Sequence, residues 1–147
     1  QDAYHDWLQK GDVCVKPAKG VFASGFWHLD PNAKSFDVFA NSMRFKAHPE
    51  SFIESYRQLE QPPVYLVMPF LSGLECSVDM LCVHGQVHGA IARYKQNNGC
   101  QNLIFEDPAI ELAHQVAALF GCDGLVNMQA RYNDQQQLYI LEVRIQV

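Results

Sequence analysis

A chain of 147 residues has room for one domain and little for a second independent core. Hydrophobic residues make up 48% and charged residues 18%, with 11 Lys+Arg against 16 Asp+Glu, which argues against a disordered chain and against a polycation built to grip nucleic acid or an acidic membrane. No apolar run approaches the roughly 20 residues of a bilayer-spanning helix, and the start from Gln1 to Asp6 has neither the basic nor the apolar stretch of a signal peptide, so a cytoplasmic protein with no nucleic-acid or membrane partner is expected.

Residues 1–10 carry a short helical pattern (Tyr4, Trp7, Leu8) stopped by Gly11; Val13-Cys14-Val15 then reads as a buried strand that ends at Lys16-Pro17. The stretch from Lys19 to Trp27 has glycines at Gly20 and Gly25 with apolar residues between them, the pattern of a hairpin whose tip can move. A strand is expected over 37–45. Over 49–59, Phe52, Tyr56 and Leu59 share one helical face, with Glu50, Glu54 and Arg57 outside and Pro62-Pro63 as the stop. Residues 64–68 read as a central strand ended by Pro69, which lacks an N–H, and a hinge follows at 70–73.

From Glu75 onward, Cys76, Val78, Met80 and Cys82 alternate with Glu75, Ser77 and Asp79, and His84-Gly85 turns the chain back into a second strand over 87–94. Asp107 as N-cap, Pro108 at the first helical position, an apolar face of Leu112, Val116, Leu119 and Phe120, and Gly121 as terminator define a helix. Strands over 124–132 and 138–147 flank the polar turn 133–137. The order is α+β with antiparallel hairpins, without βαβ alternation.

The five cysteines, Cys14, Cys76, Cys82, Cys100 and Cys122, are odd in number and contain no Cys-x-x-Cys pair, which suits reduced thiols. Cys76, Cys82, His84 and His88 fall within one hairpin and offer a zinc reading, but the two cysteines lie on its apolar face, where buried free cysteine is common. His5, His28, His48 and His114 read as surface or helix positions. Trp27 with Phe22 and Phe26 could stack a base, although an aromatic cluster in a hairpin also serves packing. Neither Gly-x-x-x-x-Gly-Lys-Ser/Thr nor a Gly-x-Gly-x-x-Gly after a strand occurs, so a nucleotide would have to be held otherwise.

Four separated pieces form a set in order: VCVKPAKG at 13–20, VMPFLSGLECSVD at 67–79, NMQAR at 127–131 and LYILEVR at 138–144. Together they resemble the ATP-grasp superfamily, in particular its branch of carbamoyl-phosphate synthase and the carboxylate–amine ligases. The resemblance implies an α+β fold of antiparallel sheets and packed helices in two subdomains that clasp a nucleotide: a small lid over 1–71 and a core over 72–147. It further implies an ATP- and Mg²⁺-dependent ligase, with Mn²⁺ as a substitute, that activates a carboxylate as an acyl phosphate for attack by an amine or ammonia. The alternative is a non-catalytic nucleotide-binding or regulatory module. The partners implied are ATP and small-molecule carboxylate and amine substrates. Because the sequence starts at Gln1 without Met and stops in a strand-like run, the rest of a longer chain is expected as well, with homodimerisation left open.

By the same resemblance Lys16 meets the nucleotide phosphates, with Gly20 and Gly25 bounding a flap over them. The main chain at Met68, Phe70 and Leu71 meets the adenine edge, and Glu75 binds the ribose hydroxyls. Gln129 and Glu142 are implied as metal ligands. Arg93, with Arg144, supplies positive charge at the transferred group. Taken singly, Lys16 and Arg93 also read as ordinary solvated or ion-paired side chains, and Gln129 and Glu142 as polar positions on a half-exposed hairpin. One departure stands out: the family's strand ends Glu-x-Asn-x-Arg, whereas this chain has Glu142-Val143-Arg144-Ile145. Since i and i+2 share a strand face, Arg144 is aimed at the space of a second metal ligand. Either two residues are missing from the sequence, or the site is damaged and only nucleotide binding survives.

Overall fold

The computed structural model describes residues 5–6, 9, 11–20, 24–34, 36, 45–96 and 99–146. They divide into two units, 1–70 and 71–147, with the division falling after Phe70. Most of the expected N-terminal helix, the flap tip at 21–23 and most of the expected strand over 37–45 lie outside the described residues.

In the first unit β1 (Val13–Pro17), β2 (Trp27–Leu29), β3 (Lys46–Ala47) and β4 (Tyr65–Pro69) form a sheet of order β3-β2-β1-β4, with α1 (Pro49–Arg57) inserted before β4. β1 runs antiparallel to both neighbours, and β2 pairs parallel with β3. The period of two sends Val13 and Val15 to one face, where they pack with Leu29, Ala47, Phe52 and Ile53. Cys14 and Lys16 therefore project from the other face. In α1, Pro49 occupies the first turn, Glu50 favours its positive end and Arg57 its negative end. Trp27, Ser51, Phe52, Tyr56, Leu59 and Tyr65 line an apolar cavity of about 310 Å³ on the α1 side, away from Lys16. Trp27 meets Phe45 edge to face at 5.8 Å, so its ring serves packing.

The second unit holds β5 (Glu75–Val83), β6 (Gln86–Lys95), β7 (Gln101–Ile104), α2 (Pro108–Phe120), β8 (Gly124–Tyr132) and β9 (Leu138–Gln146). Its sheet has the order β7-β6-β5-β8-β9, antiparallel throughout. His84 and Gly85 both adopt positive φ, 49° and 81°, as a two-residue hairpin turn requires. The alternation of β5 sends Cys76, Val78, Met80 and Cys82 inward onto Ala109, Ala113, Val116 and Ala117 of α2, with Met128 and Ala130 of β8 alongside. The Asp107 carboxylate accepts the Ala109 N–H at 2.8 Å, and Gly121 closes the helix in the left-handed region.

One sequence expectation changes here in part. On the α2 face against the sheet Val116 and Leu112 pack as expected, together with Ala109, Ala113 and Ala117, small residues four apart that let the helix approach closely, while Leu119 and Phe120 are 78% and 70% exposed. Cys76 and Cys82 are buried core residues, and His84 and His88 are exposed; among the described residues no three His, Cys, Asp or Glu side chains gather to hold a metal. All five cysteines are thiols. Among the described residues, no helix is long and apolar enough to cross a membrane.

Candidate functional site

Lys16 sits at the end of β1 on the sheet face opposite the first unit's core, with Leu66 of β4 as its cross-strand partner. Among the described residues it has no ion-pair partner. Cys14 and Met68 are the next pair on that face, and His28 lies across from Cys14 on β2. Lys16, Met68 and His28 are thereby brought to one surface by strand register alone.

Two hydrogen bonds fix which main-chain groups β4 leaves open. Phe70 donates its N–H to the Asp12 carbonyl at 2.7 Å, and Ala18 donates to the Val64 carbonyl at 2.8 Å. In an antiparallel ladder the bonded pairs alternate, so residues 64, 66, 68 and 70 turn their peptide groups toward β1 and residues 65, 67 and 69 turn theirs outward. β4 is an edge strand of the described sheet. The amide of Phe70, expected at an adenine edge, is consumed inside the sheet, whereas the Pro69 carbonyl belongs to the outward set. The Cys14 thiol also approaches that carbonyl, at 3.5 Å.

The two glycines differ. Gly25 adopts φ +74°, and a Cβ there would lie 2.6 Å from Pro17 Cγ, so its conformation and its packing both exclude a side chain. Gly20 has ordinary space, the nearest atom to a built Cβ being the Ser24 carbonyl oxygen at 3.7 Å.

His28, which reads as a surface position in the sequence, is 6% exposed. Its ring stacks on Phe70 with centroids 3.7 Å apart and planes inclined by 8°. Neither ring nitrogen has a hydrogen-bond partner among the described residues, the Asp12 carboxylate being 3.6 Å from Nε2. Burial holds its pKa below the ordinary histidine range, against the pull of Asp12 and Asp30 and with the push of Lys46. Asp30 is shifted down by the Asn32 amide and by Lys46, whose ammonium lies 3.0 Å away.

In the second unit the sheet face turned away from α2 carries the charged side chains together with exposed Leu81, Leu103 and Leu125. Glu75 opens β5 opposite Arg131, whose Nη2 is 3.8 Å from its carboxylate. Arg93 on β6 is held from two sides: Asp79 meets its Nε at 2.6 Å and its Nη2 at 3.1 Å, and Gln101 of β7 accepts from Nη1 at 3.2 Å. Asn127 of β8 donates to the same Asp79 at 2.6 Å. A chain of contacts therefore runs across four strands. Asp79, Asn127 and Gln101 were not among the residues expected in the site. The signal for Asp79 was its place in the outward alternation Glu75, Ser77, Asp79, but its partners depend on a register that the sequence does not state.

Gln129 and Glu142 are direct cross-strand partners on β8 and β9. A register shift follows, where Leu141 is the extra residue between Glu142 and Ile140. It does not turn Arg144 away: Arg144 donates to both oxygens of Glu142, at 2.6 and 2.8 Å. That pairing raises the arginine's own pKa. As it stands, the donor set does not fit a divalent cation, which wants unencumbered oxygen ligands, because both Glu142 oxygens are engaged and Gln129 offers one amide oxygen.

A small four-stranded sheet and a five-stranded antiparallel sheet backed by a helix are the parts of an ATP-grasp fold. The chain belongs to the family described as ATP-grasp in the biosynthetic pathway with Ter operon, whose model matches residues 61–146. Among curated proteins none matches the sequence. The ATP-grasp ligase PsnB, solved with minimal precursor, Mg and ADP, is 17% identical with a TM-score of 0.59, over 97% of this chain and 40% of that one. The D-alanine-D-alanine ligase from Coxiella burnetii is 13% identical with a TM-score of 0.56, over 97% of this chain and 38% of that one. The L-amino acid ligase from Bacillus licheniformis is 17% identical with a TM-score of 0.55, over 90% and 31%. The likeness is one of fold, and this chain spans less than half the length of each.

Proposed function

We propose that the chain is the nucleotide-binding portion of an ATP-dependent ligase that activates a small carboxylate for attack by an amine or ammonia. The observation that carries this reading is membership of the ATP-grasp family over 61–146. Lys16, without an ion-pair partner among the described residues, would meet the phosphates through its ammonium. The adenine edge would be read by the Pro69 carbonyl and by the main chain at Leu71. Glu75 would accept the ribose hydroxyls, for which a carboxylate has two oxygens. In the proposed reaction a carboxylate oxygen bonds to the γ-phosphorus as the bond to the ADP oxygen breaks. The amine then bonds to the acyl carbon, phosphate leaves, and the amine gives up a proton. Arg93, already oriented by Asp79 and Gln101, is suited to the charge on the transferred group. No step is assigned to Mg²⁺ or Mn²⁺, because Arg144 occupies the carboxylate that would hold it.

That same closed pair favours a second reading, a module that binds nucleotide without turnover. Titration calorimetry with ATP and ADP tests the shared part. Saturable binding is expected, and a folded protein that binds neither at millimolar concentration contradicts it. Hydroxylamine trapping separates the two readings, since hydroxamate formed from a supplied carboxylate with equimolar ADP requires the ligase.

A further inference from the structure

We infer that His28 is a positioning residue for the nucleotide, holding Phe70 and with it the end of β4 whose outer edge faces the adenine. The inference rests on the nucleotide reading above. His28 is buried on the sheet face that carries Lys16 and Met68, and stacks flat on Phe70 at 3.7 Å. Asp12 closes the arrangement from the other side, because its carbonyl accepts the Phe70 N–H at 2.7 Å while its carboxylate stands 3.6 Å from His28 Nε2. Phe70 is thus fixed by its side chain and its main chain at once, and the two hold points meet at Asp12.

A phenylalanine or leucine at this position would fill the space without two buried nitrogens left unpartnered, each of which carries a desolvation cost. What the imidazole adds is a change of state. Neutral, it stacks on Phe70. Protonated, it is drawn to Asp12, and also answers to Asp30 behind β2 and, in the opposite sense, to Lys46 on β3. Acidification should therefore loosen Phe70 and weaken nucleotide binding.

The test uses the unaltered protein, His28→Ala and His28→Phe, with ADP titrated between pH 5.5 and 8, and the exchange of the Phe70 amide followed without nucleotide. Thermal unfolding confirms that each variant is folded. At pH 8, His28→Ala should bind ADP about three- to tenfold more weakly, the worth of one aromatic pair, and exchange the Phe70 amide faster. His28→Phe should keep affinity and amide protection while losing the fall in affinity on acidification. If His28→Ala binds ADP as the unaltered protein does, or if His28→Phe is as weak as His28→Ala, the role is overturned. Failure of the unaltered protein to bind any adenine nucleotide would overturn the nucleotide reading first and this role with it, a different result from normal binding by the variants.

Discussion

The cations singled out for the site are held differently in the two units. In the first, Lys16 ends β1 with no ion-pair partner among the described residues; in the second, Arg93, Arg131 and Arg144 each meet a carboxylate, Asp79, Glu75 and Glu142 respectively. A free ammonium can meet an incoming phosphate without giving anything up. A paired guanidinium must share or exchange its partner first, and gains orientation in return. Under the proposed nucleotide reading, affinity for the phosphates would then rest with the first unit, and the orientation of groups that act once the nucleotide is in place with the second.

Replacing the free cation should have the largest effect. Lys16→Ala is expected to weaken ATP by roughly 1.5–3 kcal/mol, the worth of a charged hydrogen bond, and to leave adenosine nearly unchanged. Calorimetry with both ligands checks this, and equal losses would point to damage of the fold. Next comes Glu75→Gln, expected to cost about 1 kcal/mol for ATP and to spare 2′,3′-dideoxy-ATP, which lacks the hydroxyls; parallel losses would remove Glu75 from the ribose.

The paired arginine gives a smaller and opposite effect. Arg144→Ala frees Glu142, so the dependence of ATP affinity on Mg²⁺, slight in the unaltered protein, should grow severalfold. Titrations with and without Mg²⁺ read it, and strong Mg²⁺ dependence before the substitution would mean that the pair opens readily. The smallest effect is on stability. His28 has a lowered pKa, so the unfolded chain takes up its proton first as pH falls, and stability should decline through the ordinary histidine range. Asp30, also lowered, stabilises the fold above the ordinary carboxylate range and loses that contribution only as pH falls through its depressed value. Chemical denaturation across pH should resolve two steps, the upper one absent in His28→Phe.

Local patterns carried much of this architecture. The β5–β6 hairpin announced itself by alternation and His84-Gly85, α2 by Asp107, Pro108 and Gly121, and the β8–β9 pair by the polar turn between them. β7 escaped notice because Gln101-Asn102-Leu103-Ile104 is short and half polar, and its strand character comes from pairing with β6. Likewise β2 and β3 hold so few residues that only their neighbours define them. The buried face of α2 was half legible: Leu112 and Val116 pack as expected, but Leu119 and Phe120 are exposed and Ala109, Ala113 and Ala117 complete the packing. Within the site, Glu142 and Arg144 could be paired from their spacing of two. Arg93 with Asp79, and His28 with Phe70, depend on register and on long-range folding that no local pattern states.

Residue-resolved amide hydrogen exchange at saturating ATP tests the central claim, that this chain takes a nucleotide at the outer edge of β4, most directly. The account predicts new protection of the Leu71 amide, brought about by ATP and by adenosine alike, with the Phe70 amide, already bonded to Asp12, little changed. Exchange at Leu71 that ATP leaves untouched, in a protein that binds ATP, would contradict it.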